Sequence, residues 1–120
     1  MCVIVGFTQK GRGREEVLGC LDRAYTRGPD MARVEGTPSG WLGFRRLSIM
    51  GPDVRGMQPF ALGRDRVVCN GELYGWKEQR AKLEQRGYTF HSGSDCELLL
   101  PLYREYGLEM FSQLDAEFAL

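Results

Sequence analysis

Residues 1–7 read MCVIVGF, and the alternation in this stretch decides how the chain begins. A strand sends successive side chains to opposite faces, so Val3, Val5 and Phe7 share one face and Cys2, Ile4 and Gly6 the other. The polar, Gly-containing QKGRGR (residues 9–14) ends the run. Cys2 follows the initiator directly. Small second residues generally permit removal of Met1, and Cys2 would then carry both a thiol and a free α-amino group. A free thiol titrates at about 8.5 and an α-amine at about 7.7–8.0, so the amine can take the thiol proton and one residue can supply nucleophile and base. Position alone leaves the plainer reading open, in which a small apolar residue starts a strand.

With 120 residues the chain is near the commonest domain size, and one domain spanning 1–120 is expected. Sixteen Lys plus Arg balance sixteen Asp plus Glu. No net charge draws the chain to nucleic acid or an anionic membrane. No apolar run approaches the roughly 20 residues of a bilayer span, and no signal peptide precedes the first strand, so a cytoplasmic protein is expected. Cys2, Cys20, Cys69 and Cys96 are widely spaced, and His91 is the one histidine. That pattern predicts free thiols and no metal site.

Working outward, Val17, Leu18, Leu21, Ala24 and Tyr25 recur at helical spacing over 14–26, and RGPD (27–30) stops that helix. Strands are predicted over 32–36 and 41–49 around the turn TPSG, followed by a long loop in the Gly- and Pro-rich MGPDVRGMQPF (50–60). RVVCN (66–70) reads as a strand leading to a tight NGELYG turn. A helix over 76–86 ends at Gly87, which suits a left-handed cap. YTFHS (88–92) reads as a short strand. Ser94 and Glu97 have capping-box spacing for a helix that Pro101 should bend or shorten. A short helix over 108–114 then leads to AEFAL (116–120), the start of a strand.

GFRRLSIMG (43–51), RGMQPF (55–60), VVCNGELYG (67–75) and HSGSDCELLL (91–100) occur in this order. With MCVIVGF and RGPD, they resemble the glutaminase domain of glutamine-hydrolysing asparagine synthetases, a class II glutamine amidotransferase. RLSI followed by QP favours that branch over the amidotransferases of purine or aminosugar synthesis. The resemblance implies an α+β, N-terminal-nucleophile hydrolase-like αββα sandwich of mainly antiparallel sheets, with the C-terminal part of the domain missing, since the family continues beyond LDAEFAL. It implies that Cys2 attacks the side-chain amide of L-glutamine, giving a thioester and ammonia, and that Asn70 and Gly71 form the oxyanion hole. Arg46 matches the residue that holds the substrate carboxylate. Asp95 matches the one that receives the ammonium, with Glu72 and the backbone of Leu47, Ser48, Ile49 and Met50 completing the pocket. Ammonia would pass to a synthetase domain or subunit absent from this chain. ATP and Mg would belong to that domain, leaving no cofactor here. A homodimer is left open, and nucleic acid and membrane are not expected partners. Val3 stands where the family usually has glycine, which puts a β-branched residue beside Cys2.

Two other readings stay open. The chain could bind glutamine or a partner subunit without turnover. It could instead be an unrelated thiol hydrolase using Cys96, with His91 close in sequence and a first helical turn favouring the thiolate.

Overall fold

The computed structural model describes residues 2–8, 11, 13–48 and 53–120. The opening alternation forms β1 (Val3–Phe7), antiparallel to β3 (Gly40–Arg46), which pairs on its other side with β2 (Met31–Thr37). The TPSG turn closes the β2–β3 hairpin. It depends on Gly40, whose φ is +154° and whose place a Cβ could not share with the Phe7 carbonyl. β3 is shorter than the strand predicted to Ile49. After Arg46 the chain is held irregular from outside the sheet: the Asp30 N–H donates to the Arg46 carbonyl at 3.1 Å, and the Ser48 N–H donates to Oδ2 of Asp30 at 2.5 Å. Ile49 and Met50 lie outside the described residues.

Helix α1 (Arg14–Asp22) covers one face of this sheet, and Val17 and Leu21 are fully buried in the contact. Burial of side chains this size stabilises by about 1.5–3 kcal/mol each. Gly43 makes the close approach: a Cβ there would lie 3.0 Å from Cδ1 of Leu21 and 3.1 Å from Cγ1 of Val17. The predicted helix ends early, at Asp22, and the chain turns through a 3-10 segment at Tyr25–Arg27 into RGPD. Arg45 fastens this turn. Its guanidinium donates to the Gly28 carbonyl at 3.2 Å and to Oδ1 of Asp22 at 2.5 Å, and stacks 4.8 Å from the Tyr25 ring centroid. At Gly28 a Cβ would lie 2.7 Å from the Arg45 carbonyl oxygen, a backbone atom that cannot swing aside. Gly28→Ala is therefore expected to cost about 1–3 kcal/mol by forced displacement of the turn, read as a lower Tm in thermal unfolding.

The other face of the sheet carries Cys2, Ile4, Leu42 and Phe44, packed with Met57 and Val68. The predicted loop 50–60 contains a 3-10 turn at Val54–Gly56 and leads to the hairpin of β4 (Phe60–Leu62) and β5 (Asp65–Val67). The strand predicted over RVVCN is divided. β5 stops at Val67, and Asn70–Leu73 forms β6, antiparallel to β7 (Ala116–Ala119), the strand foreseen in AEFAL. NGEL is thus strand rather than tight turn, because a partner more than 40 residues away in sequence satisfies its backbone.

Helix α2 (Trp76–Gln85) ends as expected at Gly87, with φ +96°. The Tyr88 N–H donates to the Leu83 carbonyl at 3.1 Å and the Gly87 N–H to Glu84 at 3.0 Å, the paired bonds of a Schellman cap. YTFHS is not a strand. Among the described residues no strand offers it a ladder, and Tyr88 and Phe90 instead pack on the core, with the Arg80 guanidinium 5.0 Å from the Phe90 ring centroid. Ser94 and Glu97 form no capping box. The Glu97 carboxylate turns to the preceding loop and accepts from the His91 N–H, the Ser92 N–H and the Ser92 hydroxyl at 2.8, 2.8 and 2.6 Å. Asp95–Leu98 is a 3-10 turn, and α3 (Leu99–Tyr106) starts after it. Pro101 consequently falls in the first turn of α3, where its missing N–H is not needed, so the helix runs unbroken through it. The predicted helix 108–114 is a 3-10 segment, Gly107–Gln113. Cys69, Leu73, Leu83, Cys96, Leu98, Leu99, Leu102 and Met110 bury a second core between β6, α2 and α3. The architecture is α+β with antiparallel sheets of three, two and two strands among the described residues. No described helix is long and apolar enough to cross a membrane.

Candidate functional site

A cleft of about 640 Å³ opens between the sheet face that carries Cys2 and the start of β6. Its lining gathers Cys2, Arg46, Asn70, Gly71, Glu72 and Asp95, residues from four separate stretches of sequence. Each arrives by a different local device. Cys2 and Arg46 share a face because they occupy the ends of neighbouring antiparallel strands, on the side of the sheet away from α1. Val3 lies on the opposite side of the strand and does not line the cleft, so its β-branched side chain leaves the thiol's approach clear.

The half-buried Cys2 sulfur accepts a hydrogen bond from the Leu47 N–H at 3.5 Å and lies 3.9 Å from the Leu47 carbonyl. A backbone donor thus faces the sulfur, on the segment that Asp30 holds through Ser48. Arg45 and Arg46 point to opposite faces of β3, as alternation requires. Arg45 is taken up by the RGPD turn. Arg46 reaches the cleft, where Nη1 donates to the Asp53 carbonyl at 2.6 Å and the guanidinium packs beside Gly56. It is in no ion pair among the described residues, and the Asp53 carboxylate, held below its ordinary range first by Arg55 and last by Arg46, shares its side of the cleft.

Asn70 and Gly71 open β6. Their backbones pair with Ala119 and Phe118, and the Asn70 side-chain amide makes no hydrogen bond among the described residues. A Cβ on Gly71 would collide with the Glu117 carbonyl and the Phe118 backbone, so the glycine is required by the approach of β7 as well as by access to the cleft. Asp95 sits across from them. Its Oδ2 accepts from the Leu73 N–H at 2.7 Å and its Oδ1 from the Cys96 N–H at 2.9 Å, which ties the carboxylate to β6 and leaves further lone pairs toward the cleft. Glu72 lies opposite Glu117 in the β6–β7 ladder, two like charges with no counter-ion pair among the described residues. Glu117, then Glu72, raise the Tyr74 phenol above its ordinary range. This rim of the cleft is therefore negative, while Arg46 brings a guanidinium to the same lining, with the Asp53 carboxylate near it.

Cys96 also lines the cleft but is 3% exposed. The hydrogen bond to the Cys69 sulfur, then burial and the Asp95 carboxylate, push its thiol well above the ordinary range. A thiol held protonated is a poor nucleophile. His91, its partner in the alternative reading, is exposed, and its ring makes no hydrogen bond among the described residues. Sequence reasoning assigned no part in the site to Asp53, Gln58, Trp76 or Ser94, which also line the cleft. Gln58 and Ser94 had a signal, their places in RGMQPF and HSGSDCELLL. Ile49 and Met50, expected in the pocket, lie outside the described residues.

Residues 1–120 match the family described as glutamine amidotransferase domain. The chain is 39% identical over 99% of its length to a probable glutamine-hydrolysing asparagine synthetase of Acanthamoeba polyphaga mimivirus, of which it covers 23%. It is 36% identical over 99% of its length to glutamine-hydrolysing asparagine synthetase 1 of Bacillus subtilis, covering 20%. Amidase chry2 of Gibberella zeae is 37% identical over 99% of the chain, again with 20% of that protein covered. The chain thus spans about a fifth of the length of these relatives. Matched to that profile from end to end and resembling the amino-terminal part of the asparagine synthetases, the chain belongs to the glutamine amidotransferase domain family.

Proposed function

We propose that this chain hydrolyses the side-chain amide of L-glutamine through a Cys2 thioester. The observation that supports the reading is the gathering, in a single cleft, of the Cys2 thiol, the Asn70 and Gly71 amides, the Arg46 guanidinium and the carboxylates of Asp95 and Glu72. With Met1 removed, the Cys2 α-amine takes the thiol proton, directly or through a water, as sulfur attacks the carboxamide carbon. The carbonyl oxygen becomes an oxyanion, stabilised by the Asn70 side-chain amide and the Gly71 N–H. The ammonium of Cys2 then returns its proton to the leaving nitrogen and ammonia departs. Water, deprotonated by the same amine, cleaves the thioester to glutamate and restores the thiol. Arg46 binds the substrate α-carboxylate, and Asp95 with Glu72 binds the α-ammonium, beside the backbone of residues 47–50. No cofactor is called for, since residue 2 supplies both the sulfur and the base.

We assign residues 1–120 to one glutaminase unit of the N-terminal-nucleophile αββα plan in a cytoplasmic enzyme. Its ammonia is consumed by an asparagine-forming synthetase domain or subunit, where ATP and Mg would act. Incubation with L-glutamine should release glutamate and ammonia in equal amounts, intact mass should lack Met1, and added hydroxylamine should divert product to γ-glutamyl hydroxamate by trapping the thioester. Glutamine binding without any glutamate release would instead establish the silent alternative. Undiminished turnover with Met1 still attached would refute the α-amine as base.

A further inference from the structure

The main chain of Cys69 lies in the gap between two strands, since β5 ends at Val67 and β6 begins at Asn70. Gln58 takes the place of a strand partner there. Its Oε1 accepts from the Cys69 N–H at 2.5 Å and its Nε2 donates to the Cys69 carbonyl at 3.0 Å. Gln58 is 4% exposed and Cys69 1%, so neither pair of groups has water as a substitute. The Cys69 carbonyl and the Asn70 nitrogen belong to one planar peptide unit. A donor fixed on that carbonyl therefore sets the plane from which Asn70 leaves. The loop bearing Gln58 is itself anchored to the three-stranded sheet, by Arg46 to the Asp53 carbonyl at 2.6 Å and by Arg33 to the Met57 carbonyl at 3.2 Å. One rigid connection thus runs from the strand that carries Arg46 to the peptide ahead of Asn70.

We infer that Gln58 is a positioning residue for the Asn70–Gly71 oxyanion hole, aligning both donors by clamping the main chain of Cys69. The inference rests on the glutaminase reading above and deepens it. Gln58 touches no reacting atom. Its loss leaves both donors present but misaligned, and a misplacement of about 1 Å in such a site costs on the order of 10²-fold in rate.

The test compares Q58N, one methylene too short to make both contacts, and Q58E, which is isosteric. Q58N should lower kcat about 10- to 100-fold with KM for glutamine within about threefold, because the carboxylate and ammonium contacts do not involve Gln58. Alkylation of Cys2 by iodoacetamide, followed on the Cys2 peptide by mass spectrometry, is a direct displacement that forms no oxyanion, and its rate should equal that of the wild type. In Q58E the ionised carboxylate faces the Cys69 carbonyl and repels it, whereas the protonated acid donates and accepts like the native amide. Its kcat relative to wild type at the same pH should therefore recover as pH falls. If Q58N does not fold, Q58E carries the test. A folded Q58N with wild-type kcat, a parallel fall in hydrolysis and alkylation, or a Q58E defect independent of pH would each overturn the proposal. Absence of glutamate release by the wild-type protein would refute the glutaminase reading itself.

Discussion

Cys2→Ala lowers glutamate release by at least about 10⁴-fold, to the level of uncatalysed hydrolysis, because it removes the atom that forms the thioester while leaving the α-amine and oxyanion donors in place. Cys2→Ser is expected to fall nearly as far, since an alkoxide is far harder to generate than a thiolate with an amine as base. Both should fold. Residue 2 is only half-buried, precedes the first ladder residue and packs at the margin of the Phe44, Met57 and Val68 cluster, so Tm should stay within a few degrees of wild type. The measurement is single-turnover glutamate release at matched folded concentration. Retained turnover in Cys2→Ala, lost only on Cys96→Ala, would transfer the chemistry to the buried thiol.

Asn70→Ala should lower kcat by about 10²–10³-fold, equivalent to about 2.7–4 kcal/mol of transition-state stabilisation, with KM nearly unchanged. The side-chain amide is the second donor of the proposed oxyanion hole, and it makes no other hydrogen bond among the described residues. Alanine keeps the backbone pairing of residue 70 with Ala119, so the β6–β7 ladder should survive and thermal unfolding should barely move. Steady-state kinetics with a melting curve separates the outcomes. A raised KM at constant kcat would make Asn70 a ground-state contact, and a large fall in Tm would make it structural.

What could be read from the residues alone follows the range of the interactions involved. β1, the β2–β3 hairpin, α1 and α2 were legible because alternation, helical spacing, TPSG and Gly87 are local signals. The opposite faces of Arg45 and Arg46 follow from the same alternation. β6 was not legible, because Asn-Gly is an ordinary turn dipeptide and only its distant pairing with Ala116–Ala119 makes it a strand. YTFHS failed for the converse reason, a β-like composition with no ladder to join. The Ser94/Glu97 spacing misled because Ser92, two residues further back, offered Glu97 both a hydroxyl and an N–H. Pro101 was misplaced by the same error, since a helix starting four residues later has room for proline in its first turn. The family motifs pointed to residues that the structure places around one cleft. The Gln58 clamp was not legible, because nothing local tells a side-chain amide to complete a strand ladder.

The two adjacent arginines on β3 make the strand's register chemically unguarded. A slip of one residue would send each to the other face of the sheet, so both faces would still carry a guanidinium, one position displaced, and charge alone would reject the error only weakly. Rejection then comes first from packing, because a slip would turn Leu42 and Phe44 away from their cluster with Met57 and Val68. Gly40, seated against the Phe7 carbonyl where any Cβ would collide, and Gly43, admitting Leu21 and Val17, accept only one alignment. Fidelity of assembly therefore draws on the apolar face and on these two absent side chains together, and a bulkier residue at either would penalise the native alignment itself.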